Sequence, residues 1–250
     1  MKKKDNFLIS IFARIWALWG IITFIITFIL IFLPSMVSHL FKNYTKGQYY
    51  FLRVSEIWMR VWLTLIGCPL KVYGKDHFAP GKNYIITYNH NALLDVPLSA
   101  PFAPGANKTI AKSSYAKVPI FGEFYKRGSI LVDRKDERSR IRSLEQMKET
   151  LQMGMHMCIY PEGTRNRTGS PLKHFYDGAF KLSEVTGFSV IPAVITGTNK
   201  AMPIDKKFYL LPTKLKLFFL EPVSPNGKSM AELKNEVYFK MYDKVVAESN

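Results

Sequence analysis

A chain of 250 residues, 48% hydrophobic, has room for one α/β-sized core plus an appendage, and no fixed-period repeat points to a solenoid. Its formal net charge of +16 predicts an anionic partner, whether nucleic acid, an acidic membrane surface or an acidic substrate. The two cysteines, Cys68 and Cys158, stand in no CxxC or Cys/His cluster, which excludes a disulfide framework and a zinc site and fits a reducing, cytoplasm-facing domain.

The first predicted element is membrane-embedded. From Ile15 to Phe41 the chain runs 27 residues without Lys, Arg, Asp or Glu. As a helix that length reaches through a hydrocarbon core of about 30 Å. The run is too long for the apolar region of a cleaved signal peptide, and no A-x-A-like site follows it. Lys2, Lys3, Lys4 and Arg14 precede it, and Lys42, Lys46, Arg53 and Arg60 follow. The positive-inside rule therefore draws both ends to the cytoplasmic face. With Pro34 near the end of the run, the segment is expected to dip into the bilayer and return. In residues 49–68, Arg53, Glu56 and Arg60 make one charged stripe at i, i+3 and i+7 on a helix of Leu, Ile, Val and Trp. Such a helix lies in lipid or against a partner helix, an ordinary core helix being the alternative.

From residue 70 onward short apolar strands alternate with helical stretches and polar turns. Strands are predicted at 70–74, 83–88, 108–111, 129–133, 155–160, 189–195 and 214–220. Ile141, Leu144, Met147 and Leu151 recur at helical spacing, and Gly154 follows as a stop. A second helix is expected near 179–186. Ser229 and Glu232 form a capping-box pattern that opens a third helix, running to about Val246. The fold class is therefore α/β, a mixed, largely parallel sheet flanked by helices. A membrane-embedded helical region, 1–69, precedes an α/β domain, 70–250.

Two constellations carry chemistry. In NHNALLD (89–95), four residues separate His90 from Asp95. On a regular helix the two would not share a face, so contact requires a turn before the helix, and the strand at 83–88 puts His90 at such a junction. A neutral imidazole oriented by a carboxylate is a general base, although a histidine beside a strand is also commonly structural. In YPEGTR (160–165), Gly163 permits close backbone approach, amides around it suit an oxyanion or phosphate, and Arg165 offers a planar fork for phosphate. The same turn also reads as an ordinary loop. Residues 111–134 add Lys112, Lys117 and Arg134 around a glycine turn and a strand.

Taken in order, NHNALLD (89–95), PIFGEFYKRGSILVDR (119–134), YPEGTR (160–165) and VIPAVI (190–195) resemble the blocks of the glycerolipid acyltransferase superfamily, specifically the 1-acyl-sn-glycerol-3-phosphate acyltransferases. The resemblance spans roughly residues 70–225. It implies that His90 is the catalytic base and Asp95 its orienting partner. Glu162, Gly163 and Thr164 would form the oxyanion and donor region, and Lys112 and Arg165 would hold the acceptor phosphate. Arg134 and Lys173 would be accessory cations. The implied reaction moves a fatty acyl group from an acyl-CoA or acyl carrier protein thioester to lysophosphatidate, giving phosphatidate, with no cofactor and no metal. The implied partners are membrane lipid and these substrates but no nucleic acid, and the catalytic domain would face the cytoplasm from the membrane. Two positions depart from the family pattern: Ala92 stands where a serine is common, and in FYDGAF (175–180) Tyr176 replaces a lysine, with Lys173 nearby as a substitute.

Rival functions are an acyltransferase acting on a lyso-amino-acid lipid or another lysophospholipid, and a non-enzymatic basic protein that binds membrane surfaces. A serine hydrolase is disfavoured because no G-x-S-x-G elbow is present, and NGKS (226–229) lacks the upstream glycine of a P-loop.

Overall fold

The computed structural model describes residues 7–133 and 135–248. Its seven strands are β1 (Leu70–Tyr73), β2 (Ile85–Tyr88), β3 (Asn107–Lys112), β4 (Ser129–Val132), β5 (His156–Ile159), β6 (Val190–Thr196) and β7 (Leu215–Phe219). They form one sheet in the order β1-β7-β6-β2-β5-β3-β4. Every neighbouring pair is parallel except β6 and β7, so the predicted mixed, largely parallel sheet is present. β2 and β5 lie at its centre and are buried along their whole length, which explains their unbroken apolar or neutral composition.

The two faces of the sheet are covered differently. Ile85, Met157, Ile159, Val190 and Val194 point into one apolar cluster. That cluster is closed by α5 (Glu137–Gln152), α6 (Gly178–Thr186) and α8 (Met230–Ala247), the three helices expected from periodicity and the Ser229 cap. Ile86, Tyr88, Cys158, Ile191, Ala193 and Leu217 point to the other face, where Trp58, Met59, Trp62 and Leu63 of the N-terminal helical region meet them. The described residues of the N-terminal helical region and one face of the sheet thus share an apolar cluster.

The N-terminal region is an antiparallel helical pair, α1 (Phe7–Met36) and α2 (Tyr44–Leu65). Four indole N–H groups tie them together. Trp16 and Trp19 donate to the carbonyls of Ile66 and Leu65, Trp62 donates to Gly20, and Trp58 donates to the Thr27 hydroxyl, all at 2.9–3.0 Å. The antiparallel order follows from these pairs. The chain reverses at 37–43, at the end of the apolar run 15–41: Pro34 sits in the last turn of α1, a short 3₁₀ turn Val37–Leu40 follows, and Asn43 caps α2. Buried Arg127 pins that reversal by donating to the Ser38 hydroxyl and carbonyl. The segment Phe7–Leu40 is long and apolar enough to cross a membrane, and Ile15, Ile25, Ile29 and Leu33 are exposed along it. The charged stripe of α2 closes on itself, with buried Glu56 accepting from both Arg53 and Arg60.

Three short helices complete the chain: α3 (Asp95–Ser99), α4 (Phe121–Gly128) and α7 (Thr198–Ala201). α4 occupies part of a stretch expected to be a turn and a strand. Its aromatic residues account for the difference, because the Phe124 ring packs 5.5 Å from both Phe28 and Trp58 and so anchors a helix whose glycines disfavour it locally.

Connectivity fixes where a site belongs. The chain leaving β2 crosses toward β3 on the face holding Leu98 and Phe102, whereas the chain leaving β5 crosses toward β6 on the face holding Ala179 and Phe180. Adjacent parallel strands whose connections diverge to opposite faces open a crevice at their carboxyl ends. His90 follows β2 there, and Glu162 follows β5.

Candidate active site

The end of β2 is clamped by Asn89. Its side-chain amide donates to the carbonyl of Ile195 at 2.9 Å and accepts from the Ile195 N–H at 2.7 Å, extending the β2–β6 ladder by one side chain. This fully buried amide fixes the residue before the candidate base. Sequence reasoning passed over Asn89. Its position at a strand end immediately before the histidine was the available signal.

After Asn89 the chain turns instead of entering a helix, as contact between His90 and Asp95 required. Asp95 opens α3 and is fully buried. Its Oδ2 accepts from the backbone N–H groups of Asn91 at 2.6 Å and Ala92 at 2.7 Å, and it lies 3.0 Å from His90 Nδ1. Because Asp95 is an acceptor to two fixed donors, His90 Nδ1 carries the hydrogen of the third bond and Nε2 keeps its lone pair. The Ala92 side chain is absent from this arrangement; its amide does the work. Tyr160 supports the pair from the residue after β5, its ring centroid 4.6 Å from that of His90 and its hydroxyl donating to the Asp95 carbonyl at 2.9 Å. Burial raises the Tyr160 hydroxyl well above its ordinary pKa, so it remains a donor.

Glu162 joins the two constellations. Its Oε1 accepts from the His90 backbone N–H at 2.7 Å and its Oε2 from the Lys173 N–H at 3.0 Å. The residue is fully buried, and burial pushes its carboxyl up to about 7 against the opposing pull of those two amides. The Asp95 charge adds to the rise, and Lys173 opposes it. Asn166 closes the loop by donating its N–H to the His90 carbonyl at 2.7 Å. Both backbone polar groups of His90 are therefore held by the YPEGTR segment and the residue after it.

The remaining expected residues divide. Gly163 adopts φ 69°, the left-handed conformation that glycine accommodates. Its N–H donates to the Tyr160 carbonyl at 3.0 Å, and the Thr164 N–H donates to the Glu162 carbonyl at 2.8 Å, so both amides are engaged within the turn. The Thr164 hydroxyl accepts from Lys173 Nζ at 3.0 Å, which leaves its own hydrogen available to donate. Lys173 also donates to the Glu162 carbonyl at 3.3 Å, and its ammonium lies 5.7 Å above the Tyr176 ring. Arg165 is half-buried, and its guanidinium makes no hydrogen bond or ion pair among the described residues. Lys112 ends β3 at the same carboxyl edge of the sheet and is exposed. Arg134 lies outside the described residues. Among the described residues no three His, Cys, Asp or Glu side chains gather as metal ligands would.

This geometry can do acid–base chemistry on a hydroxyl beside a cationic turn. Comparison with known proteins identifies the family. The family model named Acyltransferase matches residues 69–196. A 1-acyl-sn-glycerol-3-phosphate acyltransferase of Chlamydomonas reinhardtii is 29% identical over 161 residues, 62% of this chain and 47% of that protein. The enzyme of the same name from Helicobacter pylori strain J99 is 28% identical over 170 residues, 65% of this chain and 71% of that one. This chain thus matches about half the length of the first relative. Among solved structures, the 1-acyl-sn-glycerophosphate (LPA) acyltransferase PlsC of Thermotoga maritima superposes with a TM-score of 0.80 at 26% identity, covering 96% of this chain and 97% of that one.

Proposed function

The chain belongs to the acyltransferase family, and from that premise we propose that it transfers a fatty acyl group from a thioester to the free hydroxyl of lysophosphatidate, forming phosphatidate. The observation that carries the mechanism is the His90–Asp95 pair at 3.0 Å, whose tautomer is set by the two backbone donors sharing Asp95 Oδ2. His90 Nε2 takes the proton from the acceptor hydroxyl as its oxygen attacks the thioester carbonyl carbon. Asp95 stabilises the imidazolium that forms. The tetrahedral oxyanion is met by the Thr164 hydroxyl, oriented by Lys173, because the amides of Gly163 and Thr164 are already engaged. Collapse expels the thiolate, which recovers the proton from His90 and leaves as the free thiol of coenzyme A or of an acyl carrier protein.

Arg165 and Lys112 take the acceptor phosphate in this proposal. A half-buried guanidinium without a partner among the described residues suits a bidentate phosphate contact. The cation missing at Tyr176 is replaced by Lys173, whose ammonium overlies the tyrosine ring. The pair of cations Arg165 and Lys112 favours a phosphomonoester acceptor over a lyso-amino-acid lipid, with Tyr176 at an accessory position. The long apolar α1 supports membrane association, with the catalytic edge facing the cytoplasm.

The test is purified protein in detergent, offered lysophosphatidate in competition with a zwitterionic and an amino-acid lysolipid, using acyl-CoA and acyl carrier protein donors in turn. Lysophosphatidate is expected to be acylated first, and His90→Ala is expected to abolish transfer while the protein stays folded. Preferential acylation of another lysolipid would overturn the acceptor, and near-normal turnover by His90→Ala would overturn the base.

A further inference from the structure

The connection between β3 and α4 is built in an unusual way. Ile120 has φ 62° and ψ −57°, and the Phe121 N–H donates back to the Pro119 carbonyl at 2.6 Å. This is a γ-turn of the rare, strained kind, centred on a β-branched residue that is a genuine outlier at positive φ. The strain does not serve burial, because Ile120 is 60% exposed and Tyr115 and Val118 beside it are also exposed. The turn is rigid all the same. The Gly122 N–H donates to the Val118 carbonyl at 2.7 Å, and a Cβ at Gly122 would fall 2.3 Å from the Ala116 carbonyl oxygen.

We propose that residues 115–120 form a second bilayer contact, an apolar tip that enters the boundary between headgroups and acyl chains of an anionic membrane next to the catalytic edge. Three observations choose this occupant. The tip is anchored to α1: Phe121, the next residue, packs 5.7 Å from buried Phe28, on the inner side of the half of α1 whose outer side exposes Ile25, Ile29 and Leu33. Exposed Lys112 precedes the apolar residues and exposed Lys117 lies among them, basic groups complementary to anionic headgroups. The segment also departs from the end of β3, at the same carboxyl edge of the sheet from which His90 and Glu162 emerge. Residual strain at a surface turn is characteristic of positions kept for function. The proposal rests on the membrane acyltransferase reading and adds where the enzyme meets its lipid: the acceptor would move laterally from the bilayer to His90 without leaving the interface.

The experiment uses the full chain in vesicles of phosphatidylglycerol and phosphatidylcholine. Cys68 and Cys158 are buried, so a single introduced cysteine takes an NBD label selectively. Ile120→Cys is labelled, with Asn226→Cys as a control on an exposed turn. The probe at 120 is expected to emit at shorter wavelength and to be quenched several-fold more by nitroxide-bearing lipid than the probe at 226. Water-like emission at 120, with iodide quenching equal to that at 226, overturns the proposal. Ile120→Gly supplies the kinetic arm, because glycine relieves the strained φ while removing the side chain. It should melt higher than wild type, raise KM about 10-fold for long-chain lysophosphatidate in vesicles, and leave a short-chain, water-soluble acceptor unaffected. An unchanged KM for the vesicle-borne acceptor refutes the contact. If wild type acylates neither acceptor, the acyltransferase reading fails, and the probe still decides the bilayer contact.

Discussion

Glu162 is expected to make stability and activity respond to pH in opposite directions. Its carboxyl rises from an ordinary 4.5 to about 7 in the folded chain. Between those values the folded state holds a proton that the unfolded state has released, so stability is greatest below about 4.5 and falls as pH rises toward 7. At about 1.4 kcal/mol for each tenfold change, the span amounts to roughly 3 kcal/mol. The proposed mechanism needs the other form. Only the carboxylate offers both oxygens as acceptors, one to His90 N–H and one to Lys173 N–H. Protonation weakens one of these bonds and releases the backbone of His90, the proposed base, and a displacement near 1 Å costs up to about 10²-fold in rate.

The perturbation is Glu162→Gln, measured by thermal melting in detergent and by kcat/KM from pH 5 to 9. Glutamine keeps one acceptor and turns an NH₂ toward a backbone donor, a mismatch of about 1–3 kcal/mol. The variant should be about 10- to 10²-fold slower than wild type at pH 8 and much closer to it at pH 5. Its stability deficit should shrink as pH rises from 4.5 to 7, because only wild type loses stability there. A variant that keeps the wild-type acid limb, with a pH-independent difference in melting temperature, would refute the assignment of that limb to Glu162.

Asp95→Asn should retain the His90 tautomer, because the Asn91 and Ala92 amides select the amide oxygen for the Oδ2 position. Loss of the charge alone is then expected to lower kcat about 10²-fold, less than the ~10⁴ that follows when the tautomer is also lost; a 10⁴-fold drop measured under saturating substrate would contradict this. Arg165→Ala should raise KM for a phosphate-bearing acceptor about 10- to 10²-fold and leave KM for the thioester unchanged, matching the loss of one charge-assisted contact; equal losses for both substrates would make the role structural. Gly20→Val should lower stability by about 1–3 kcal/mol, because a Cβ there already falls 2.7 Å from Leu210 Cδ2; an unchanged melting temperature would show that the α1 contact relaxes freely.

Local sequence made the sheet readable because β2, β5 and β6 are buried runs whose composition admits little else. It also made His90, Asp95 and Glu162 visible as separate pieces, while the bonds that unite them were not. Glu162 reaches the His90 amide across 72 positions and Asn89 reaches Ile195 across 106, distances at which pairing depends on the topology of the sheet. The same limit explains α4, whose helix rests on contacts with Phe28 and Trp58 from the N-terminal pair. It also explains the amides of Gly163 and Thr164, since only the folded turn reveals that they are already engaged.

All four tryptophans of the chain, Trp16, Trp19, Trp58 and Trp62, belong to the α1–α2 pair, and each spends its indole N–H on the opposite helix or the residue just after it. Intrinsic emission is therefore a local gauge of how the pair is docked and is silent about the sheet, which far-ultraviolet dichroism reads together with the helices. Following denaturation by both signals asks whether the shared core makes the molecule one cooperative unit. Coincident curves would mean that a detergent able to pry the helices apart also unfolds the crevice that holds His90 and Glu162. An early change in emission would mean that the helical pair can be undocked with the sheet intact.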